Sequence, residues 1–402
     1  MPPVNDPKTA MAWLALKDRA LGASSEGITI ADARRPDRPL IYVNEGFERL
    51  TGYQAAEVLG RNCKFLQGPD ADPDTVSEIR AALTVGRDCQ VEILNHHKNG
   101  TPFWNRLAIT PVKDAKGRVT HFIGIQSDVT ARREAEARLV EANAQMRRDL
   151  EEAAVIQQAW LPQSLPRVSG YDFAWEFRPC DDLAGDGLNI LRLDENHIGL
   201  YVLDVTGHGV PAALLSASLN RWLSPMPEQS CLYEPDPGRP SGYRPATPAK
   251  VAATLNREFS AGPRTGKYFT LHYGLLDLRD GRYRYVTAGH PPPVRVTADK
   301  AELLPLAEGV IMGILPGFEF KEQEVTLVPG DRLLVYTDGA FEAVDADDLE
   351  MGEKRLMDAL VDLHSRPAAE SLKAIVEKVE AWCPGGQPQD DVTLIALDVL
   401  PR

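Results

Sequence analysis

A chain of 402 residues exceeds what one ordinary hydrophobic core fills, so two or three domains are expected. Its 43% hydrophobic and 25% charged content is that of a soluble globular protein, and no apolar run reaches the roughly 18 residues of a membrane span. The net charge of −14, with no basic helix, argues against nucleic acid as a partner. The opening MPPVNDPKTAMAWLALKDRAL lacks the layout of a secretory signal, so a cytoplasmic protein is expected. Cys63, Cys89, Cys180, Cys231 and Cys383 are scattered and form no C-x-x-C, which disfavours both a zinc site and a disulfide framework.

A helical extension is expected over residues 1–22. From about 23 to 130, strand-like runs alternate with turn residues: LIYVN at 40–44, CQVEIL at 89–94 and HFIGIQSDV at 121–129. Lys98-Asn99-Gly100 and Asp114-Ala115-Lys116-Gly117 signal hairpins. The segment reads as an α+β domain whose second half is an antiparallel meander. Residues 131–165 then change character, with no Gly and no Pro before Pro162. Ala135, Leu139, Ala142, Met146, Leu150, Ala153, Ile156 and Trp160 make one apolar stripe on a continuous helix, roughly 45 Å long. Either this helix packs on its own domain or it dimerises the protein as a parallel coiled coil, which is the expectation adopted.

Over 166–402, apolar strands alternate with helical patterns. IGLYVLDV (198–205), YFTLHYGLLDL (268–278), YRYVTAG (283–289), RLLVYTDG (332–339) and VTLIALDVL (392–400) read as strands. Helices are expected after Pro211, after Thr247-Pro248 and over 367–382. The stretch 224–246 holds six prolines and reads as a long surface loop, either a substrate-facing flap or a disordered insertion.

Three amides interrupt apolar strands in the first domain: Asn95 in VEILN, Asn105 in PFWNRLAI and Gln126 in FIGIQSDV. A buried amide is costly unless its donors and acceptors are met. Three of them, with mixed donor and acceptor capacity, point to a polar planar ligand inside the fold. Cys63, within GRNCKFLQG, reads alone as a small buried hydrophobe, and Asn62 and Gln67 as turn amides.

Together, GRNCKFLQG, VEILNHHKNGTPFWN and HFIGIQSDVT resemble the light-oxygen-voltage (LOV) branch of PAS sensor domains. The resemblance implies a non-covalently bound flavin, FMN, with FAD and riboflavin as alternatives. It makes Cys63 the thiol that adds to the flavin ring after photon absorption. Asn62, Gln67, Asn95, Asn105 and Gln126 would hydrogen-bond the ring edge, and Arg80 would face the phosphate. Lys64 stands where the family usually has Arg; it keeps the charge but loses the planar fork. Gln126, four residues before Thr130, would turn its carboxamide when the ring nitrogen it faces gains a proton, and so bias the following helix.

In the second half, Asp186 lies in LAGDGLN, Asp204 ends a strand in YVLDVTGHG, Asp338 follows LLVYT, and Asp390-Asp391 precede VTLIAL. Singly these read as turn or cap residues, and His208 and His290 as loop histidines. Jointly, strand ends deliver carboxylates, most beside glycines that permit close backbone approach. Such a donor set suits hard cations such as Mg²⁺ or Mn²⁺.

Over roughly 155–400 the strings IQQAWLP, LAGD, YVLDVTGHG, YVTAGHPPP, PGDRLLVYTDGAFEA and QPQDDVTLIAL resemble the metal-dependent 2C-type (PPM) protein Ser/Thr phosphatases of the SpoIIE/RsbU branch. The resemblance implies an α/β–β/α sandwich holding two Mn²⁺ or Mg²⁺ ions. Asp186 and Asp204 would be ligands with the Val205 carbonyl nearby. Asp338 and one of Asp390 and Asp391, with Asp390 favoured, would complete the second metal site. A metal-activated water would attack phosphorus in line. The implied substrate is a phosphorylated Ser or Thr on a STAS-type anti-sigma-factor antagonist, hydrolysed under blue-light control.

One departure is Asn189, which occupies the family's second acidic position in AGD-Gly-Leu-Asn. It is the sole support for the alternative of a light-regulated, non-catalytic partner-binding scaffold. A light-regulated histidine kinase is disfavoured because residues 131–165 contain no histidine.

Overall fold

The computed structural model of the protein describes residues 7–259 and 266–401, which divide into two compact units between Gln145 and Met146. Helix α1 spans Pro7–Gly22; residues 1–6 of the expected extension lie outside the described residues. Among the described residues no helix is long and apolar enough to cross a membrane.

In the first unit, β1 (Gly27–Asp32) and β2 (Leu40–Val43) lead into α2 (Glu45–Thr51), α3 (Ala55–Val58), a 3₁₀ turn at Cys63–Leu66 and α4 (Pro73–Val85). A meander of β3 (Cys89–His96), β4 (Pro102–Lys113) and β5 (Val119–Asp128) follows. The strands form one antiparallel sheet in the order β2-β1-β5-β4-β3. Local chemistry sets the helix ends. Asn44 caps α2 by accepting from the Phe47 N–H, Asp72 caps α4 ahead of Pro73, and Gly86 closes α4 at φ 70°. The helices cover one face of the sheet: Ile79 and Ala82 pack on Ile93, Ile109 and Phe122, and Phe47, Val58 and Leu66 pack on Leu40 and Val43.

Helix α5 (Thr130–Gln158) runs 29 residues with none buried, and the division between the units falls inside it. Leu139, Met146 and Ile156 of the apolar stripe are exposed. Its first turn is gripped by the first unit. Thr130 Oγ1 accepts from the Trp104 N–H at 2.8 Å, the Arg133 guanidinium lies 3.8 Å above the Trp104 ring, and Arg132 pairs with Glu92.

The second unit runs through β6 (Tyr171–Arg178), β7 (Gly187–Arg192), β8 (His197–Val205), α6 (Val210–Trp222), β9 (Tyr233–Pro235), β10 (Tyr243–Pro245), α7 (Pro248–Phe259), β11 (Phe269–Asp277) and β12 (Arg282–Ala288). It continues with β13 (Val294–Val296), β14 (Ala301–Leu303), β15 (Gln323–Thr326), β16 (Arg332–Tyr336), α8 (Gly352–Leu363), α9 (Ala368–Trp382) and β17 (Val392–Val399). Two five-stranded antiparallel sheets, β15-β12-β11-β8-β7 and β14-β13-β16-β17-β6, face each other. Leu188, Leu200 and Val202 of one meet Phe173, Val335 and Ile395 of the other. Residues of alternate parity on β8, such as Tyr201 and Leu203, face α6 and α7 instead, and α8 and α9 cover the second sheet.

The proline-rich stretch 224–246 departs from its expected loop. It contains the β9–β10 hairpin, and Cys231, Leu232 and Ala246 are buried in the core with α6 and α7. Three apolar anchors outweigh the turn-forming prolines between them.

Candidate functional sites

In the first unit a cavity of ≈ 310 Å³ opens between the sheet and the helices, within the size range of small-molecule sites. Asn62, Cys63, Lys64, Gln67, Arg80, Asn95, Asn105 and Gln126 all line it, against apolar walls that include Leu40, Ile79, Ile93 and Phe122. Asn95, Asn105 and Gln126 are buried on three neighbouring strands. The Asn105 amide donates to Asn95 Oδ1 at 2.9 Å and to Gln126 Oε1 at 3.1 Å. Asn105 Oδ1 is buried without a hydrogen-bond partner, an acceptor aimed where a ligand donor belongs. Gln126 Nε2 lies 3.8 Å from Cys63 Sγ. Burial pushes the Cys63 thiol up to about 11, partly opposed by Gln126, so the sulfur is a neutral thiol at pH 7. At the mouth, Asn62 donates to the Asp37 carbonyl and Lys64 pairs with the Asp37 carboxylate at 3.0 Å.

The second site lies at one end of the sandwich. The first sheet supplies Asp186, just before β7, and Asp204 near the end of β8. The second supplies Asp338, in a 3₁₀ turn after β16, and Asp390, ahead of β17. Burial, then the charges of Asp338, Asp390 and Asp391, raises Asp204 to about 7. Asp186 is lifted well above the usual carboxylate range by burial and by Asp204 and Asp391. Asp338 and Asp390 are raised as well, chiefly by burial. Carboxylates that oppose one another's ionisation at close quarters are the donor set that a hard divalent cation reverses.

Two glycines allow this approach. A Cβ on Gly185 would lie 2.7 Å from the Val205 carbonyl oxygen, and one on Gly339 2.2 Å from that of Asp391. The Val205 carbonyl therefore faces the Asp186 turn.

Asp390 and Asp391 separate clearly. Asp391 is buried and accepts the N–H groups of Cys180 (2.9 Å), Gly185 (2.7 Å) and Asp186 (3.3 Å), so it anchors the 180–186 turn. Asp390 keeps one side open to solvent; partial burial of its carboxyl, then the charges of Asp338 and Asp391, raise it.

Asn189 stands on the other face of β7. It contacts Tyr201 beneath α6, away from the face carrying Leu188 and Asp186, so its amide substitutes no carboxylate of the cluster. His208 lies at the exposed rim with Nδ1 3.1 Å from Asp181. His290 is buried, its Nδ1 2.7 Å from Thr270 Oγ1, and burial pushes it down to about 3.

Sequence reasoning missed several neighbours. Cys180 Sγ lies with carboxylate oxygens of Asp390 and Asp391, all within 4.8 Å of one another. Glu342 is raised by burial and by Asp338; its spacing of four from Asp338 was the available signal. Thr393 Oγ1 donates to Asp186 Oδ2 at 2.5 Å. Gln157, in the last turn of α5, donates to the Ala184 carbonyl at 2.8 Å and accepts the Ala184 N–H at 3.1 Å.

Comparison with known proteins gives two independent matches along the chain. The family model of Stage II sporulation protein E (SpoIIE) matches residues 194–400, and a PAS domain model matches 25–131. Phototropin-2 of Oryza sativa subsp. japonica is 50% identical over 115 residues, 29% of this chain and 13% of that protein. A blue-light-activated histidine kinase of Brucella anthropi is 50% identical over 101 residues, 25% of this chain and 21% of that one. The chain thus spans about an eighth to a fifth of these photoreceptors. The SiaA-PP2C domain of Pseudomonas aeruginosa shares the fold, with TM-score 0.52 and 21% identity over 64% of this chain and 98% of that one.

Proposed function

Because the chain belongs to the Stage II sporulation protein E (SpoIIE) family and carries a PAS domain of LOV type, we propose that it is a blue-light-regulated, metal-dependent protein Ser/Thr phosphatase. The observation that carries the catalytic half is the convergence of Asp186, Asp204, Asp338 and Asp390 from both sheets, each raised by burial and most by one another. Asp186 and Asp204, with the Val205 carbonyl, and Asp338 with Asp390 would hold two Mn²⁺ or Mg²⁺ ions. Bound there, the ions supply an activated water and neutralise charge on the phosphoryl group. The chain's own part is to fix the ligands: Asp391 ties down the turn before Asp186, and Gly185 and Gly339 let the strand ends close up.

The sensory half rests on the unpartnered Asn105 acceptor in the cavity that Cys63 also lines, with Gln126 bonded to both residues. Asn95, Asn105 and Gln126 would hold the polar edge of a flavin, FMN foremost, with Gln67 and Asn62 beside them and Arg80 and Lys64 toward its phosphate. A bound flavin would supply blue-light absorption and an electrophilic carbon, and Cys63 is the thiol that lines its cavity. The neutral Cys63 thiol brings its own proton, and the Gln126 amide, with a donor and an acceptor on one head group, would be able to meet either an acceptor or a donor on the ligand by turning over. The expected substrate is a phosphorylated STAS-type anti-sigma-factor antagonist, and a homodimer through the exposed stripe of α5 is the expected assembly.

The test is phosphate release from such a phosphoprotein by the purified, flavin-loaded chain with Mn²⁺, in darkness and under blue light. Asp204→Asn and Asp338→Asn should each lower turnover by at least about 100-fold, and Cys63→Ala should abolish the light–dark difference while leaving turnover. Equal rates in wild type and both Asp variants would overturn the catalytic reading.

A further inference from the structure

The acidic site uses side chains from two sheets, and hydrogen bonds cross between them at Asp186, the foremost one to its carboxylate coming from Thr393. Asp186 belongs to the first sheet and Thr393 to the second, 207 positions apart. Thr393 Oγ1 donates to Asp186 Oδ2 at 2.5 Å, and both residues are buried. The threonine is itself fixed. Its N–H donates to Thr337 Oγ1 at 3.0 Å, Thr337 Oγ1 donates to the Asp391 carbonyl at 3.2 Å, and the Thr337 N–H donates to the Thr393 carbonyl at 3.0 Å. Its β-branched side chain on a strand has restricted χ1, so the hydroxyl has little freedom to swing away.

Resting on the phosphatase reading, we infer that Thr393 is a positioning residue for the metal centre: its hydroxyl holds one oxygen of Asp186 from across the sandwich and leaves the other for the cation. Without this donor the Asp186 carboxylate keeps only the lesser hold of the Thr337 hydroxyl and turns more freely about its terminal torsion, which is broad and weakly restrained. Binding an ion would then carry the added cost of ordering the ligand. The same bond makes the site depend on correct seating of one sheet on the other, because the ligand stands on one and its guide on the other.

The test uses the full chain and Mn²⁺ alone. Binding is followed from the electron paramagnetic resonance signal of free Mn²⁺ without substrate, beside thermal melts in chelator. Thr393→Val replaces the hydroxyl with a methyl of similar size and should weaken Mn²⁺ binding about tenfold. Thr393→Ser keeps the donor and should remain within about twofold of wild type. Should Thr393→Val melt below the assay temperature, Thr393→Ala against Thr393→Ser supplies the same comparison, with serine expected to bind about tenfold tighter. A purely structural role predicts a lowered melting temperature with unchanged Mn²⁺ affinity. That result, or a serine variant as weak as valine or alanine, overturns the inference while the phosphatase reading stands. A wild-type chain that takes up no Mn²⁺ overturns both.

Discussion

Neutralising Asp390 and neutralising Asp391 remove the same charge one residue apart, yet they disturb different things. Asp391 receives three backbone N–H groups, and hydrogen bonds to an ionised acceptor each contribute about 1.5–3 kcal/mol. Asparagine offers one carbonyl oxygen and an NH₂ that repels the remaining donors. Asp391→Asn should therefore lower stability by about 2–3 kcal/mol, or roughly 5–10 °C in melting temperature for a unit of this size. Asp390→Asn should leave the melt within about 2 °C while abolishing most Mn²⁺-dependent turnover. Reversed effects in calorimetry and phosphate release would reject this division of roles. The sequence left the choice open because the deciding partners lie 205 to 211 residues away and are main-chain groups. Asn189 carries the same lesson: its place in the string suggested a lost ligand, whereas the period-2 alternation of β7 turns it toward Tyr201.

Elements with a strong pattern were legible. Strand β8, apolar almost throughout, and β17, which starts directly after Asp390-Asp391, are buried over nearly their whole length, and the amides of β3, β4 and β5 meet in one cavity. The β9–β10 insertion was not, because its proline content masks the anchors at Cys231, Leu232 and Ala246. Helix α5 was legible as a helix but silent about what its ends touch. Its last turn places the Gln157 amide against both main-chain groups of Ala184, two residues before Asp186. Ala184 is fully buried, so removing that amide leaves a donor and an acceptor without partners, at about 1–3 kcal/mol each. Gln157→Ala should lower dark-state turnover about tenfold or more through the Asp186 turn, while flavin absorbance and the Cys63 photoreaction stay unchanged. Turnover equal to wild type would mean the end of α5 does not support that turn.

At the scale of the whole molecule, the sandwich buries titratable side chains that stay neutral in acid because it is folded. His272 and His290 are both buried and both pushed down by burial, His290 to about 3. Their rings lie 6.3 Å apart, and His272 Nε2 meets the Tyr283 hydroxyl at 2.7 Å. In the unfolded chain each takes a proton near pH 6.5. Below that pH the unfolded state binds protons the folded state refuses, so stability is full above about 6.5 and is lost as pH falls toward 3. For His290 the loss between pH 6.5 and 4.5 is on the order of 2–3 kcal/mol, since each pH unit weighs about 1.4 kcal/mol per proton. A His290→Asn variant keeps a polar group beside Thr270 but has nothing to titrate. At pH 7.5 it should melt below wild type because the ring's packing and its bond to Thr270 are lost. The gap should narrow steadily from pH 6.5 to 4.5, where only the wild type is still losing this contribution. Parallel melting curves across that range would show that His290 carries its proton in the folded protein, which its burial against the sheet core forbids.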